Sequence, residues 1–359
     1  MAETSVLIGM SGGVDSSVAA CLMQQQGYRC LGVTMRLFDS LEQESTCCSL
    51  DDVEDARAVA YRLGIPHYVF NFKDSFETSV MHKFVSCYEQ GQTPNPCIDC
   101  NRYLKFGRLL HRAEELGCDY VVSGHYAQVR QDESTGRYLL YKAVDQAKDQ
   151  TYFLACLDQQ QLSHILFPLG GLTKPEVRKI AEEKGFINAR KHDSQDICFV
   201  PDGDYLAFLE AYTGKSYPAG DFLDVTGKVV GQHHGAPGYT LGQRKGLGIA
   251  LGTPVYVCGK DMVRNTVTVG PNEALFSPAL RANDWNWYPF ETLTVPMAVT
   301  AKIRHSQVEH EAMVYPEENG FARVEFRQPQ RAITPGQAVV LYDGDLVVGG
   351  GTITEALPL

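Results

Sequence analysis

The sequence predicts an α/β protein: a doubly wound parallel sheet, then a small β-rich central domain, then a C-terminal β-barrel. Its first half alternates short apolar runs with helical patterns, which is typical of βαβ units and a parallel sheet. From about residue 202, glycine and proline become frequent and the segments shorten. With 359 residues the chain exceeds one ordinary core, and we predict domains at 1–201, 202–274 and 275–359.

The first half begins with residues 5–17, where an apolar run breaks into a glycine-rich turn and then into a helical pattern. This is the pattern of a strand, an anion-binding loop and a helix. The remaining segments of the sheet follow in order. We predict helices at 17–26, 51–63, 74–89 and 102–116, strands at 30–35, 67–70 and 119–123, and a proline-rich loop at 93–100.

The rest of the chain is predicted to be mostly strands. Residues 138–142 form one, and Thr173 opens a helix as a capping box that Gly185 ends. Short alternating segments follow in the central domain at 225–230, 255–258 and 266–269. Five more suggest a small barrel, at 295–303, 311–315, 322–326, 338–342 and 346–350.

Composition indicates a globular protein that works in a reducing compartment. Hydrophobic residues make up 44% and charged residues 21%, and no apolar run is long enough to span a membrane. Because no signal peptide is visible, we expect the cytoplasm, where the eleven cysteines begin as thiols. The net charge of −11 argues mildly against nucleic acid binding but leaves a local basic patch open.

The loop at residues 11–16, Ser-Gly-Gly-Val-Asp-Ser, has the chemistry of a phosphate site. Gly12 and Gly13 let the backbone approach a ligand closely, and the serine hydroxyls lie beside the first amides of a helix. It is not a Walker A loop, since the required lysine is missing. Asp15 would repel a bound pyrophosphate, so we expect a magnesium ion between them.

Two places carry thiols that could do chemistry. Cys97 and Cys100 are predicted on the stiffened loop before a helix, with Cys100 nearest its N-terminus, where a thiol pKa can fall from ~8.5 to ~3.5–7.5. A lone Cys-x-x-Cys also suits a redox pair or half of a zinc site. Cys198, in Asp-Ile-Cys-Phe, could by itself equally be a buried small residue.

Further motifs accompany the loop at 11–16 along the chain: Asn-Pro-x-x-x-Cys-Asn at 95–101, Ser-Gly-His at 123–125, Lys-Asp-Gln at 148–150, Asp-Ile-Cys-Phe at 196–199, Tyr-Thr-Leu-Gly-Gln-Arg-Lys-Gly-Leu-Gly at 239–248 and Arg-His-Ser at 304–306. Together these motifs resemble those of the bacterial tRNA 2-thiouridylases, a family of N-type ATP pyrophosphatases. The resemblance covers essentially the whole chain.

The resemblance implies a reaction and assigns residues to it. ATP would adenylate the C2 oxygen of the wobble uridine, Cys198 would carry a persulfide from a sulfur-relay protein or cysteine desulfurase, and Cys100 would resolve it. A Cys100–Cys198 disulfide could result. Asp15 is the remaining catalytic residue. The implied nucleotide-binding residues are Gly9, Met10, Ser11, Gly12, Gly13, Val14, Asp15 and Ser16, with Met35 and Gly124 near the adenosine.

By the same resemblance, a second set of residues would contact tRNA: Asn95, Pro96, Cys97, His125, Lys148, Asp149, Gln150, Arg304, His305 and Gln337. Many family members carry aspartate where this chain has Cys97. Cys97, Cys100 and Cys198 could therefore converge on a [4Fe–4S] cluster with one open iron. Cys47 and Cys48 are adjacent and are read as structural.

Two other functions share the loop. An amide-forming ATP pyrophosphatase would use ammonia and need no paired thiols, and the chain shows no sign of a glutaminase domain. A nucleotide sensor without turnover would leave the cysteines and the C-terminal half unexplained. Loss of thiolation on replacing Cys198 would separate the thiouridylase from both.

Overall fold

A computed structural model describes residues 3–38, 50–191, 197–200 and 203–358 of the chain. Cys47 and Cys48 lie outside the described residues. The chain divides into two compact units. The first contains Met1–Val80, Pro96–Phe199 and Asp343–Val348, and the second contains Met81–Asn95, Val200–Tyr342 and Gly349–Leu359. The three-domain division at residues 201 and 274 stays a prediction.

The first unit is built on a five-stranded sheet in the order β3-β2-β1-β4-β7, in which every pairing is parallel. Its central strand β1 is buried, and Val6 pairs with Cys30 on one side and Tyr120 on the other. The predicted doubly wound sheet is confirmed, although β7 was too short to predict. The strands are β1 (Ser5–Gly9), β2 (Arg29–Arg36), β3 (His67–Asn71), β4 (Tyr120–Val122) and β7 (Ile165–Leu166).

Helices cover this sheet, and their apolar faces form its core, with Val18, Val59 and Val177 in one buried cluster. No helix among the described residues is long and apolar enough to cross a membrane. The helices of the first unit are α1 (Val14–Gln25), α2 (Leu50–Leu63), α3 (Lys73–Phe76), α5 (Pro96–Asp99), α6 (Leu109–Glu115), α7 (Thr151–Leu154), α8 (Gln159–Ser163) and α9 (Lys174–Glu183); α4 (His82–Glu89) and α10 (Tyr205–Thr213) belong to the second unit.

The cysteine-bearing segment differs from the prediction. Residues 93–100 were expected to be a loop, but α5 begins at Pro96, since proline is well suited to the first position of a helix. The same helix continues as a π-helix over Cys100–Arg108 and then as α6. The predicted position of Cys100 at a helix N-terminus is therefore wrong, and Cys97 lies in the first turn instead.

A hairpin completes the first unit. It consists of β5 (Gln128–Gln131) and β6 (Tyr138–Tyr141), which confirms the strand predicted at 138–142. Residues near the C-terminus pair with it: Leu346 pairs with Tyr141, and the Lys142 Nζ donates to the Gly344 carbonyl at 2.8 Å. The segment Asp343–Val348 is thereby part of the first unit.

The second unit contains a four-stranded sheet in the order β10-β11-β8-β9. The strand predicted at 225–230 is mostly wrong, because the Asp224 carboxylate accepts from the amides of Thr226 and Lys228 and folds that stretch into a turn. The segments at 255–258 and 266–269 are strands. The bounds are β8 (Gly220–Leu223), β9 (Val229–His233), β10 (Tyr256–Asp261) and β11 (Thr266–Gly270).

The C-terminal strands form a closed barrel in the order β12-β15-β14-β13-β16-β17, and β17 returns to β12. The barrel was predicted, but its sixth strand β12 was not. Register shifts around Asp284, whose φ is +51°, interrupt the alternation that would have shown β12. The strands are β12 (Phe276–Trp287), β13 (Met297–Lys302), β14 (His310–Pro316), β15 (Ala322–Arg331), β16 (Ala338–Asp343) and β17 (Leu346–Leu357).

Candidate active site

The glycine-rich loop joins β1 to α1 and closes on itself through its serines. The Ser16 hydroxyl accepts from the Ser11 amide at 3.1 Å and donates to the Gly13 carbonyl at 3.1 Å. Gly13 is the N-cap of α1 and provides no side-chain cap. The first turn of α1 therefore presents its positive end without an oxygen from its own cap, which is the arrangement that binds phosphate.

Gly12 meets two separate requirements of this loop. Its φ is +75°, a conformation that side chains other than glycine rarely adopt. A Cβ at this position would also lie 2.4 Å from the backbone oxygen of Asp52, the third residue of α2. Only glycine therefore lets the loop pass this close to α2.

Asp15, in the first turn of α1, is neutralised by a lysine that the sequence did not single out. The Lys174 ammonium lies 2.7 Å from both carboxylate oxygens of Asp15, and the Tyr126 hydroxyl donates to one of them at 2.8 Å. Both Lys174 and Tyr126 are buried. The protein itself thus provides a positive charge beside Asp15, where the sequence predicted a magnesium ion.

The sequence contains a weak indication that Lys174 pairs with a residue outside its own helix. The capping box predicted at Thr173 is present, with the Thr173 amide donating to Glu176 at 2.7 Å. Lys174 is the first residue of the helix that this box opens, where the helix dipole disfavours a cation. A lysine in the least favourable turn of a helix indicates that a partner elsewhere holds it.

The segment after α9 is fastened to the same loop. The buried Asn188 donates to the Gly12 carbonyl at 2.8 Å and to the Ser17 hydroxyl at 2.9 Å. Lys191 donates to Asp52 at 2.7 Å and to Asp55 at 2.6 Å. Burial alone would lower the pKa of Lys191, but these two carboxylates raise it, so this lysine is charged at neutral pH. The start of the segment leading to Cys198 is therefore anchored beside the glycine-rich loop.

The end of β4 contacts the loop from the other side. A Cβ on Gly124 would lie 2.7 Å from the Ser16 amide nitrogen, so this glycine permits close packing against the start of α1. His125 follows, with its Nδ1 2.6 Å from the Ser123 hydroxyl and its ring near that of Phe106. Burial, with a smaller contribution from Lys105, lowers the pKa of His125 well below its ordinary value. His125 is therefore neutral at pH 7.

The three thiols of interest differ in exposure: Cys97 is exposed, Cys198 is half-buried, and Cys100 is only 8% exposed. All three are in the first unit. The described residues include no group of three or more His, Cys, Asp or Glu side chains placed to hold a metal ion. The alternative of an iron–sulfur cluster at these three thiols therefore gains no support from the described residues and stays a hypothesis.

Three family models together match most of the chain: a tRNA methyl transferase HUP domain over residues 4–202, a tRNA methyl transferase PRC-barrel domain over 206–271, and an aminomethyltransferase β-barrel domain over 277–353. The tRNA-specific 2-thiouridylase MnmA of Acetivibrio thermocellus is 51% identical over 98% of this chain and all of its own length. The protein of the same name from Heliobacterium modesticaldum is 53% identical over all of this chain and 94% of its own.

The chain belongs to the tRNA-specific 2-thiouridylase family. A solved 4-thiouridine synthetase–RNA complex with bound ATP is also similar, but it is 17% identical over 54% of this chain and 44% of its own, with a TM-score of 0.35. That likeness is too weak to carry an argument about function.

Several residues that the 2-thiouridylase resemblance assigned to tRNA binding are engaged within their own units. The buried Asp149 accepts from the Ala143 amide at 3.0 Å and from the Thr151 hydroxyl at 2.6 Å. Gln150 accepts from the Tyr126 amide at 2.9 Å. These two side chains hold the chain beside the Asp15 pair, and their contact with tRNA stays a prediction.

Two further members of that set are engaged in the second unit. Arg304 donates to the carbonyls of Leu241 at 3.2 Å and Ala332 at 3.1 Å. Gln337 donates to the carbonyls of Thr93 at 2.9 Å and Pro94 at 3.2 Å. Gln337 thus holds the stretch that precedes Asn95. Contacts of tRNA with these residues, and with Asn95, Pro96, Cys97, His125, Lys148 and His305, are not tested by the structure.

The remaining cysteines of this 2-thiouridylase provide an internal test of thiol reactivity. Burial raises the pKa of Cys30 to about 11 and that of Cys156 to about 12. At pH 8 only about one molecule in a thousand or fewer would carry a thiolate there. We expect iodoacetamide at pH 8 to alkylate the exposed Cys97 and to leave Cys30 and Cys156 unmodified, as measured by peptide mass spectrometry.

The control for this prediction is the same protein in urea, where all cysteines should react. Alkylation of Cys156 in the folded protein at the rate of Cys97 would contradict the burial that the structure assigns to it.

Proposed function

We propose that the protein converts the wobble uridine of tRNA to 2-thiouridine, using ATP to activate the base and a cysteine persulfide to deliver sulfur. The observation that carries this proposal is the combination of an uncapped, glycine-rich helix N-terminus with Cys100 and Cys198 in one compact unit. Membership of the 2-thiouridylase family supports it. Phosphate binding alone would suit many enzymes, whereas two thiols in the same compact unit suit sulfur transfer.

The loop at residues 9–16 would bind the phosphates of ATP, with Met35 and Gly124 near the adenosine. The amides at the start of α1 offer hydrogen bonds and a partial positive charge to the phosphates. Asp15 would remain paired with Lys174 while ATP is bound. The lysine ammonium would offset the negative charge of Asp15, so that this carboxylate does not repel the phosphates. Attack of the uridine C2 oxygen on the α-phosphate forms the adenylated base and releases pyrophosphate.

Sulfur transfer would follow in two steps. The terminal sulfur of a Cys198 persulfide attacks C2, the C2–O bond breaks, and AMP leaves with its electron pair. The Cys100 thiolate then attacks the inner sulfur of Cys198. This forms a Cys100–Cys198 disulfide and releases 2-thiouridine, and an external thiol must reduce the disulfide before the next turnover.

Magnesium is proposed to enter with ATP. Mg²⁺ is usually held by one or two carboxylates together with substrate phosphates. The described residues form no site with three metal-ligating side chains, and Asp15 already accepts from Lys174 and Tyr126. A magnesium–ATP complex needs no such protein site.

The partners of the reaction follow from its chemistry. The substrate is tRNA with an unmodified wobble uridine, and the proposed contacts are the residues named above from Asn95 to Gln337. The sulfur would come from a sulfur-relay protein or a cysteine desulfurase, since Cys198 must be recharged in every cycle. ATP and tRNA are both available in the cytoplasm, where we place the protein.

Anaerobic turnover tests this proposal. The purified protein is incubated with magnesium–ATP, a persulfide donor and tRNA transcripts, and nucleosides and pyrophosphate are quantified. We expect one 2-thiouridine per pyrophosphate without bound iron, and none in a transcript whose wobble base is cytidine. Pyrophosphate release without thiouridine, or a methylated or amidated uridine in its place, would overturn it.

A further inference from the structure

The helix that carries Cys100 is not a regular α-helix. After α5 it widens into a π-helix over the nine residues Cys100–Arg108 and returns to the α form in α6. π-helical stretches are rare, generally occupy a single turn and are often associated with functional sites. A stretch of two turns needs support from outside the helix.

The side chain of Gln161, on α8, gives that support. Its Nε2 donates to the Arg102 carbonyl at 3.0 Å and to the Phe106 carbonyl at 2.9 Å. These two carbonyls lie within the π-helix, so one amide group bridges its successive turns. An inserted side chain that captures helix carbonyls is a recognised cause of a local change in winding.

The other end of the Gln161 side chain is also held. Its Oε1 accepts from the Asp158 amide at 3.0 Å, while the Asp158 carboxylate accepts from the Gln161 amide at 2.8 Å. This reciprocal pair is the capping box of α8. Gln161 is therefore fixed by its acceptor end and holds the π-helix by its donor end.

The lack of a side chain at Gly107 also permits the π-helical conformation. A Cβ on Gly107 would lie 3.0 Å from the Arg102 carbonyl oxygen, which is one of the two that Gln161 captures. A larger residue here would push against this carbonyl. Glycine and Gln161 thus act together on a single backbone group.

The winding determines which way Cys100 faces. A return to the α form would reduce the number of residues per turn along all nine residues, which rotates everything on the N-terminal side of the stretch. Cys100 is 8% exposed and Asn101 1%, and Asn101 donates to the Phe153 carbonyl at 3.1 Å. These buried residues could not keep their positions after such a rotation.

We propose that Gln161 is a positioning residue that keeps this helix in its π form and so orients Cys100 for its attack on the inner sulfur of Cys198. This inference rests on the resolving role of Cys100 in the proposed function. It assigns to Gln161 no contact with substrate.

Three variants test the inference. Gln161→Glu keeps the acceptor that caps α8 but removes the donor and places a negative charge beside two carbonyls. Gln161→Met removes the donor without adding charge, in case the first variant does not fold. Asp158→Ala is the matched control, because it breaks the same capping box while the Gln161 donor remains.

For both Gln161 variants we expect kcat for thiouridine formation to fall at least ten-fold, with the KM for ATP within two-fold of the unsubstituted protein. The first-turnover burst of pyrophosphate should be unchanged, since adenylation precedes the step of Cys100. Iodoacetamide should alkylate the buried Cys100 at least five-fold faster, because a helix without its support opens more often. Asp158→Ala should change neither quantity by more than two-fold.

Unchanged Cys100 alkylation in a folded Gln161 variant would overturn the inference, as would equal effects of Asp158→Ala. Failure of the proposed function looks different. If the unsubstituted protein makes no thiouridine, the proposed resolving role of Cys100 is wrong. The rates of Cys100 alkylation in the variants still show whether Gln161 stabilises the π-helix.

Discussion

Lys174→Met is expected to lower the affinity for ATP at least ten-fold and the rate of pyrophosphate release about 100-fold. Without this ammonium, the Asp15 carboxylate keeps the Tyr126 hydroxyl but loses the cation that is hydrogen-bonded to both of its oxygens at the start of α1. The phosphates of ATP would then meet a negative charge at the helix end that should attract them. Binding by equilibrium dialysis and release by a coupled pyrophosphate assay measure the two effects.

A double substitution separates charge compensation from direct contact with ATP. In Asp15→Asn/Lys174→Met neither charge remains, so ATP affinity should recover part of its loss if Lys174 acts mainly by neutralising Asp15. No recovery would indicate that the lysine also binds the phosphates. Lys179→Met, an exposed lysine on the same helix, is the control. ATP affinity of Lys174→Met within two-fold of the unsubstituted protein would contradict the prediction.

The same substitution should also cost stability. Lys174 is buried and Asp15 is partly so, and removing one partner leaves a hydrogen-bonded carboxylate without its main donor. We expect the free energy of unfolding to fall by about 1–3 kcal/mol. Denaturant titration measures this, and ATP binding must be compared at temperatures where the variant is fully folded.

Cys198→Ser should abolish thiouridine formation, by at least 1000-fold, and leave ATP binding and first-turnover pyrophosphate release within two-fold. Serine preserves the size of the side chain but cannot carry a persulfide. Adenylation requires only the nucleotide loop and the base, so it should continue. Liquid chromatography with mass spectrometry of digested tRNA measures the product.

The control for that variant is Cys258→Ser. Cys258 is half-buried in the second unit, and burial raises the pKa of its thiol. This variant should thiolate normally. In Cys100→Ser, by contrast, the persulfide should attack C2 but not be resolved, so that tRNA remains attached to Cys198 through a disulfide. Normal thiolation by Cys198→Ser would exclude the persulfide route and leave the sulfur donor to act directly on the adenylated base.

The parts of the fold that could be predicted are those set by neighbouring residues. The loop at Gly12 and Gly13, the Thr173 capping box and the parallel strands follow from local chemistry and periodicity. The bulge at Asp284 interrupts the strand alternation, and β12 was therefore missed. The Asx turn at Asp224 occupies the stretch where a strand was wrongly predicted at 225–230. The helix start at Pro96 was missed although proline favours that position.

The parts of the site that could not be predicted depend on contacts distant in sequence. Lys174 meets Asp15 across 159 positions, and Asn188 meets Gly12 across 176. The π-helix depends on Gln161, 59 positions from Arg102. No period or motif identifies the partners in such pairs. Even Lys174, whose position in the first turn of a helix is unfavourable for a cation, does not show locally which residue it binds. The resemblance to the 2-thiouridylases named the chemistry but not these supports.

The segment Asp343–Val348 has a consequence for the order in which the protein can fold. Gly344 and Leu346 complete the hairpin at Lys142 and Tyr141, about 200 positions earlier in the chain. A ribosome must therefore synthesise about 200 residues beyond the hairpin before the first unit can make these contacts. Closing so long a chain is slow, since the entropy of the intervening residues must be lost first. During synthesis the glycine-rich loop can form early, but the unit that contains it is complete only after residues 343–348 have been made.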